Sequence, residues 1–265
     1  MTAISCIGSD GWVMKVDVNA NAGTLYVVST PIGNFDDVTL RGLRVLGEVA
    51  VIAAEDPQQT QALCERHDLH VPLTSYHNEN KEEKTALLLA RLREGASVAL
   101  VSDAGTPVIA DPGRFLIQKA IRAGIQIVPV PGPSAGLAAL SVSGLSGDRF
   151  LFLGTLPRTS AAMQCLLRAL RKEPGTLVLL VTPGRLRSIL HAVKDALGDR
   201  DVVVAKDLTM SGETVVRGQA SAVARLVLQA PTGGVVTLVI EGCKGKVGEN
   251  RKRMLRPMRR RASES

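Results

Sequence analysis

The sequence predicts an α/β protein built from two α/β domains, and three observations lead there. Short apolar runs alternate with capped or amphipathic helical stretches from Thr24 to Ser143, the pattern of strands linked by crossover helices. Three of the apolar runs end in loops rich in glycine and proline. After the polar stretch Gly144–Arg149 the pattern restarts with a new apolar run at Phe150, which places the domain boundary there.

The central run is Ser97–Val101, apolar on both faces as a buried parallel strand reads. It leads into Ser102-Asp-Ala-Gly-Thr-Pro-Val-Ile-Ala-Asp-Pro-Gly113. In that loop Gly105 permits close approach to backbone, Pro107 stiffens the chain, and Asp103 and Thr106 supply polar atoms. Asp111 is placed to cap a helix that starts at Pro112 and has Gly124 past its end. Strand 125–130 runs into Pro131-Gly-Pro-Ser-Ala-Gly136, and strand 24–28 into Ser29-Thr-Pro-Ile-Gly-Asn34. One such loop is an ordinary strand-to-helix turn. Three at the carboxyl ends of strands in one sheet predict a ligand cleft, because open α/β sheets bind ligands at that edge. Neither the dinucleotide fingerprint nor the Walker lysine loop is present. The cleft therefore suits a neutral or zwitterionic small ligand held by backbone groups.

In chain order, residues 1–22 form a leader with a short strand at 12–16, and the first domain spans 23–146. It holds a helix near 38–47, strand 49–53, a short helix after Glu55-Asp56, and a charged helix at 80–94. Helix 112–123 and helix 133–143 follow the central strand and strand 125–130. The second domain, 147–243, reads as strand 150–153, helix 160–172, strand 176–182, helix 184–196, strand 201–205, strand 213–218, helix 219–229 and strand 235–241.

Composition narrows the function classes. At 265 residues, 45% hydrophobic and 22% charged, the chain has the balance of a soluble globular protein. No apolar run reaches the roughly 18 residues of a membrane span. The first 22 residues have neither the cationic start nor the apolar core of a secretory signal. Four cysteines far apart, without a Cys-x-x-Cys pair, suit reduced thiols in the cytoplasm. Cys64, His67 and His70 share a helical spacing but have no fourth ligand, and no metal is expected. The net charge of +7 sits entirely in residues 244–265, where nine basic residues face two acidic ones. This tail is expected to be disordered, either as a phosphate-seeking arm or as a solvated terminus. Aromatic residues make up 3% of the chain, too few for a base-stacking sheet, so any RNA would be recognised by shape and phosphates.

Six motifs occur in order: Thr30-Pro-Ile-Gly-Asn34, Ala53-Ala-Glu-Asp56, Ser75-Tyr-His77, Ser102-Asp-Ala-Gly-Thr-Pro107, Pro131-Gly-Pro-Ser-Ala135 and Asp148-Arg-Phe-Leu-Phe-Leu-Gly154. With them the chain, over about residues 23–243, resembles the 16S rRNA 2′-O-ribose cytidine methyltransferases of the tetrapyrrole methylase superfamily. The resemblance implies two α/β domains with a cofactor cleft between them, a homodimer, S-adenosyl-L-methionine as methyl donor, and small-subunit ribosomal RNA or particles as partner. It also implies donor contacts from Ile32, Asp103, Gly105, Thr106, Ile109, Ser134 and Ala135, and from Thr182, Ala205 and Thr237 in the second domain.

A ribose hydroxyl needs a base to take its proton. Glu55, Asp56 and His77 are the candidates, with Glu55 ranked first. Read as ordinary architecture, Asp56 before Pro57 is a helix cap and His77 a satisfied histidine after a strand. The chain departs from the family on the substrate side. Pro57-Gln58 stand in place of Thr-Arg, Val181-Thr-Pro-Gly-Arg185 in place of Glu-Ser-Pro-His-Arg, and Val108 in place of the usual glycine. Arg158 is retained, but the lysines that often follow it are Thr159-Ser-Ala-Ala162. Two other readings therefore stand beside RNA methylation: a small-molecule methyltransferase of the same superfamily, and a catalytically retired relative that binds RNA or ribosomal particles.

Overall fold

The computed structural model describes residues 21–109, 112–182, 184–227 and 235–244. The expected strand at 12–16, the Asp111 cap, the end of helix 219–229 and the tail beyond Lys244 lie outside these residues. The chain divides into two compact units, Met1–Ala135 and Gly136–Ser265.

The first unit is a five-stranded, wholly parallel sheet. Its strands are β1 (Thr24–Val28), β2 (Val51–Ala54), β3 (Leu73–Ser75), β4 (Val98–Val101) and β5 (Gln126–Val130), in the spatial order β3-β2-β4-β1-β5. Helices α1 (Leu40–Glu48), α2 (Pro57–Arg66), α3 (Lys81–Arg93) and α4 (Arg114–Arg122) connect them. The alternation along β4 shows why it is apolar on both faces. Val98 and Leu100 pack with Leu88, Leu89 and Leu92 of α3 and Leu116 and Ala120 of α4. Ala99 and Val101 pack with Val45 and Leu46 of α1 and Leu63 and Cys64 of α2. A strand covered by helices on both sides has no solvent face to make polar. Ala22, assigned to the leader, already packs against the α3–α4 side of this core.

Helix α4 begins at Arg114 with Gly113 as its N-cap, two residues later than the sequence suggests. Gly113 is instead pressed onto β4. A Cβ on Gly113 would lie 2.9 Å from Leu100 Cδ2, so the tip of that leucine would have to shift to admit one.

The second unit carries β6 (Phe150–Gly154), β7 (Thr176–Val181), β8 (Asp201–Lys206), β9 (Thr214–Gln219) and β10 (Val236–Ile240), ordered β6-β7-β10-β8-β9. Its sheet is mixed: β6 and β7 run parallel, while β10 is antiparallel to both neighbours. Helices α6 (Ser160–Ala169), α7 (Leu186–Leu197) and α8 (Ala220–Val227) cover one face. Helix α5 (Ala135–Ser143) covers the other, through Ala139 and Leu140 against Val178, Val203 and Val239. That packing accounts for the division at Ala135/Gly136. The Gly144–Arg149 stretch separates helix from strand, but α5 belongs by its contacts with the second sheet. A Cβ on Gly136 would sit 3.1 Å from the Phe152 ring.

Candidate functional site

The last residues of all five strands of the first sheet stand in one row. Ser75 pairs with Ala54, Ala54 with Val101, Val101 with Val28, and Val28 with Val130. The loops beyond these strands therefore emerge together at the carboxyl edge, where the sequence expects a cleft. They are also tied to one another. Thr30 and Gly105 exchange two backbone hydrogen bonds, at 2.9 and 3.1 Å. The Thr30 hydroxyl donates to Ser102 O, and the Ser102 hydroxyl donates to Gly105 O. Thr106 Oγ1 donates to Pro133 O at 3.2 Å and accepts from Ser29 Oγ at 3.1 Å. Ser29, Thr30 and Ser102 are all buried, so each hydroxyl requires a partner and finds it in the surrounding loops. Sequence reasoning does not single these three out as site residues. The signal that could have found them is a hydroxyl at the end of an otherwise apolar strand.

Three of the expected donor contacts stand together around Gly105. A Cβ built on Gly105 would lie 3.4 Å from Ile32 Cγ2, 3.5 Å from Pro133 O and 3.9 Å from Ser134 Cα. Gly105 holds φ at +87°, where side chains are rare. The loops after β4, β1 and β5 thus meet at Gly105, whose surroundings are backbone and one isoleucine. Thr106 joins them through Pro133. Ala135 follows Ser134 as the first residue of α5, and the exposed Ile109 is linked to Thr106 by its backbone N–H.

Asp103 is turned elsewhere. Its carboxylate accepts the backbone N–H of Asp56 at 2.8 Å, joining the loop after β4 to that after β2. Burial pushes its carboxyl above the ordinary carboxylate range; the Asp56 N–H opposes this, and the nearby Asp56 charge adds to it. In the second unit, register sets Thr237 opposite both Leu180 and Ala205, with Thr182 just past the end of β7. Those three residues share one end of the second sheet; Thr237 and Ala205 are buried and Thr182 is exposed.

Of the candidate bases, Asp56 does act as a cap. Its carboxylate accepts from Gln58 N at 2.9 Å, with Pro57 at the first helical position. His77 is held by Asn80, whose side-chain N–H₂ donates to His77 Nε2 at 3.0 Å and also to Ser75 Oγ. Because an amide nitrogen only donates, Nε2 is the acceptor and the ring proton lies on Nδ1. Asn80 is a residue that no sequence motif marks; it sits at the N-cap of α3 without capping it. Glu55 follows Ala54 directly, is half-buried, and has no hydrogen-bond or ion-pair partner among the described residues. Its carboxylate is therefore uncommitted among the described residues. Among the described residues no group of three or more His, Cys, Asp or Glu gathers to hold a metal ion. His67 contacts Phe35 O and His70 pairs with Asp68.

Val108 adopts φ of +74°, a left-handed conformation that a β-branched side chain resists. This is the position where the resembled family carries glycine. Strain of this kind costs about 1–3 kcal/mol, while glycine's extra unfolded freedom returns about 0.5–1 kcal/mol. Val108→Gly is therefore expected to stabilise the protein by about 1 kcal/mol in urea denaturation. A less stable variant would mean that valine packing outweighs the strain.

Residues 24–224 match the family model of tetrapyrrole (corrin/porphyrin) methylases. The chain is 42% identical over 224 residues to the ribosomal RNA small subunit methyltransferase I of Micromonospora olivasterospora, covering 84% of this chain and 72% of that protein. It is 40% identical over 221 residues to the protein of the same name from Thermotoga maritima, covering 83% of this chain and 99% of that one. Among solved structures, cobalt precorrin-4 methyltransferase, a cobalamin biosynthetic enzyme, superposes with a TM-score of 0.62 at 21% identity over 82% of this chain and 94% of its own. Uroporphyrin-III C-methyltransferase from Thermus thermophilus, complexed with S-adenyl homocysteine, gives 0.58 at 22% identity over 82% and 97%. The structural likenesses establish the fold.

Proposed function

This chain belongs to the tetrapyrrole methylase family, and from that premise we propose that it methylates the 2′-hydroxyl of a cytidine ribose in small-subunit (16S) ribosomal RNA, with S-adenosyl-L-methionine as donor. The observation that carries the donor half is the convergence of three loops on Gly105, which has a positive φ. The neighbours of Gly105 there are Ile32, Pro133 and Ser134, all neutral, which suits a zwitterion better than a polyphosphate. The acceptor half is supported by the names of relatives 40–42% identical over most of this chain.

The donor supplies an electrophilic methyl group on a positively charged sulfur. The residues present fit such a group: beside Gly105 stand Ile32, the Pro133 carbonyl and Ser134, none of them a cation that would repel the sulfonium. Ile32, Asp103, Gly105, Thr106, Ile109, Ser134 and Ala135 are the proposed donor contacts, with Thr182, Ala205 and Thr237 as further candidates on the second sheet. Cross-linking of the loops by Thr30, Ser102 and Thr106 pre-orients them, and orientation supplies much of the acceleration in a direct displacement. Glu55 is the proposed base, accepting the ribose hydroxyl proton as the oxygen attacks. A cytoplasmic homodimer acting on the small-subunit RNA or particle completes the proposal.

The deciding experiment is transfer of labelled methyl from the donor to undermethylated small-subunit particles, run beside a tetrapyrrole acceptor. Label on the RNA alone is expected. Label on the tetrapyrrole would move the chain to the small-molecule branch, and donor binding without transfer to either would favour the retired relative.

A further inference from the structure

A second feature lies on the helical side of the second unit. A cavity of about 520 Å³ opens between α6 and α7, within the size range of ligand sites. Arg158, Arg185 and Arg187 line it with His191, and Asp195 is the one carboxylate on its wall among the described residues. The three arginines differ in role. Arg185 is spent on the fold: its guanidinium donates from Nη1 to Leu156 O at 3.0 Å and from Nη2 to Pro157 O at 2.6 Å. It thereby pins the loop that carries Arg158 beside the first turn of α7. Arg158 and Arg187 are exposed and have no carboxylate partner among the described residues. His191 donates from Nδ1 to Arg187 O at 2.8 Å, which leaves Nε2 unengaged.

Both helices begin at the cavity. Ser160 is the first residue of α6, and Arg187 and Ser188 lie in the first turn of α7, so two sets of N-terminal N–H dipoles lie beside the same space. Paired helix starts with unpaired guanidinium groups select an anion, and the forked arginine geometry matches phosphate oxygens. Gln164 adds a second requirement. It lines the cavity, and its Oε1 is buried with no hydrogen-bond partner among the described residues. Turning that amide toward the cavity forfeits no hydrogen bond of the oxygen and offers an acceptor to a ligand hydroxyl. An RNA backbone brings both parts, phosphate oxygens for the arginines and a 2′-hydroxyl donor for Gln164.

We propose that the cavity between α6 and α7 is a docking site for the phosphate backbone of the RNA substrate, with Arg158 and Arg187 each neutralising one phosphate. It rests on the ribosomal RNA reading above and explains how a body whose net charge is zero outside its tail can hold RNA.

The test measures binding of the full chain to undermethylated small-subunit particles across a salt series, with Arg158→Ala, Arg187→Ala and, as a control, Arg168→Ala at an exposed arginine of α6 outside the cavity. Calorimetric donor binding confirms that each variant is folded. Each cavity variant is expected to lower the salt slope by roughly 0.7–0.9, one phosphate contact, with donor affinity unchanged and the control like wild type. Arg158→Lys, which keeps the charge, is expected to keep the slope. Cavity variants indistinguishable from the control, while wild type binds particles, would overturn the docking site and leave the RNA reading standing. Wild type that binds donor but no particles would overturn both. Loss of inorganic phosphate binding in the variants, with particle binding intact, would assign the cavity to a free phosphate and overturn the RNA assignment.

Discussion

Gly105→Val is expected to abolish donor binding. Valine would have to hold φ near +87°, and its branched side chain would fill the space between Ile32, Pro133 and Ser134. The backbone bridge to Thr30 involves only main-chain atoms and can persist, so the loss falls on ligand binding more than on the sheet. Left-handed strain of about 1–3 kcal/mol is within what a domain of this size tolerates, whereas a branched side chain where the three loops meet blocks the approach of a ligand to that backbone. Calorimetry should show no donor binding by a variant whose circular dichroism matches wild type. Gly105→Ala, which carries less of the strain and adds one methyl group beside Ile32 and Pro133, should weaken binding without abolishing it. Normal donor binding by Gly105→Val would make this loop an ordinary turn.

Glu55→Gln should lower the rate of methyl transfer by roughly 10²–10⁴-fold, the usual contribution of a positioned general base. The substitution keeps the shape of a half-buried side chain that has no hydrogen-bond or ion-pair partner among the described residues, so stability and donor affinity should both stay at wild-type values. Single-turnover kinetics with saturating donor isolates the chemical step. A rate within a few-fold of wild type would remove Glu55 from the role. Asp56 and His77, the other two candidates, would then be next to test.

How much of the structure is legible in the sequence depends on how local the determining physics is. The two-faced apolar character of Val98–Val101 needs only the strand's own residues, and helices do cover both sides. The loops after β1, β4 and β5 are legible because glycine and proline restrict backbone wherever they occur. The spatial order of the strands is not, since it depends on pairings between residues far apart, such as Val28 with Val101. The same holds for the Asp103 contact with Asp56, which joins two loops 47 residues apart. The affiliation of α5 turns on Ala139 and Leu140, apolar residues that could have packed on either sheet. The cavity between α6 and α7 is partly visible through Arg158, but Arg187 and His191 carry no motif and meet it only through helix packing.

Alkaline hydrolysis reads the position of the methyl group on the nucleotide. Cleavage of RNA by base needs the free 2′-hydroxyl as internal nucleophile, so a 2′-O-methyl group protects the adjacent phosphodiester. Small-subunit RNA labelled by this protein should yield, after exhaustive alkaline digestion, its label in an alkali-resistant dinucleotide whose 5′ residue is cytidine. Label recovered in mononucleotides would place the methyl group on a base and contradict the account.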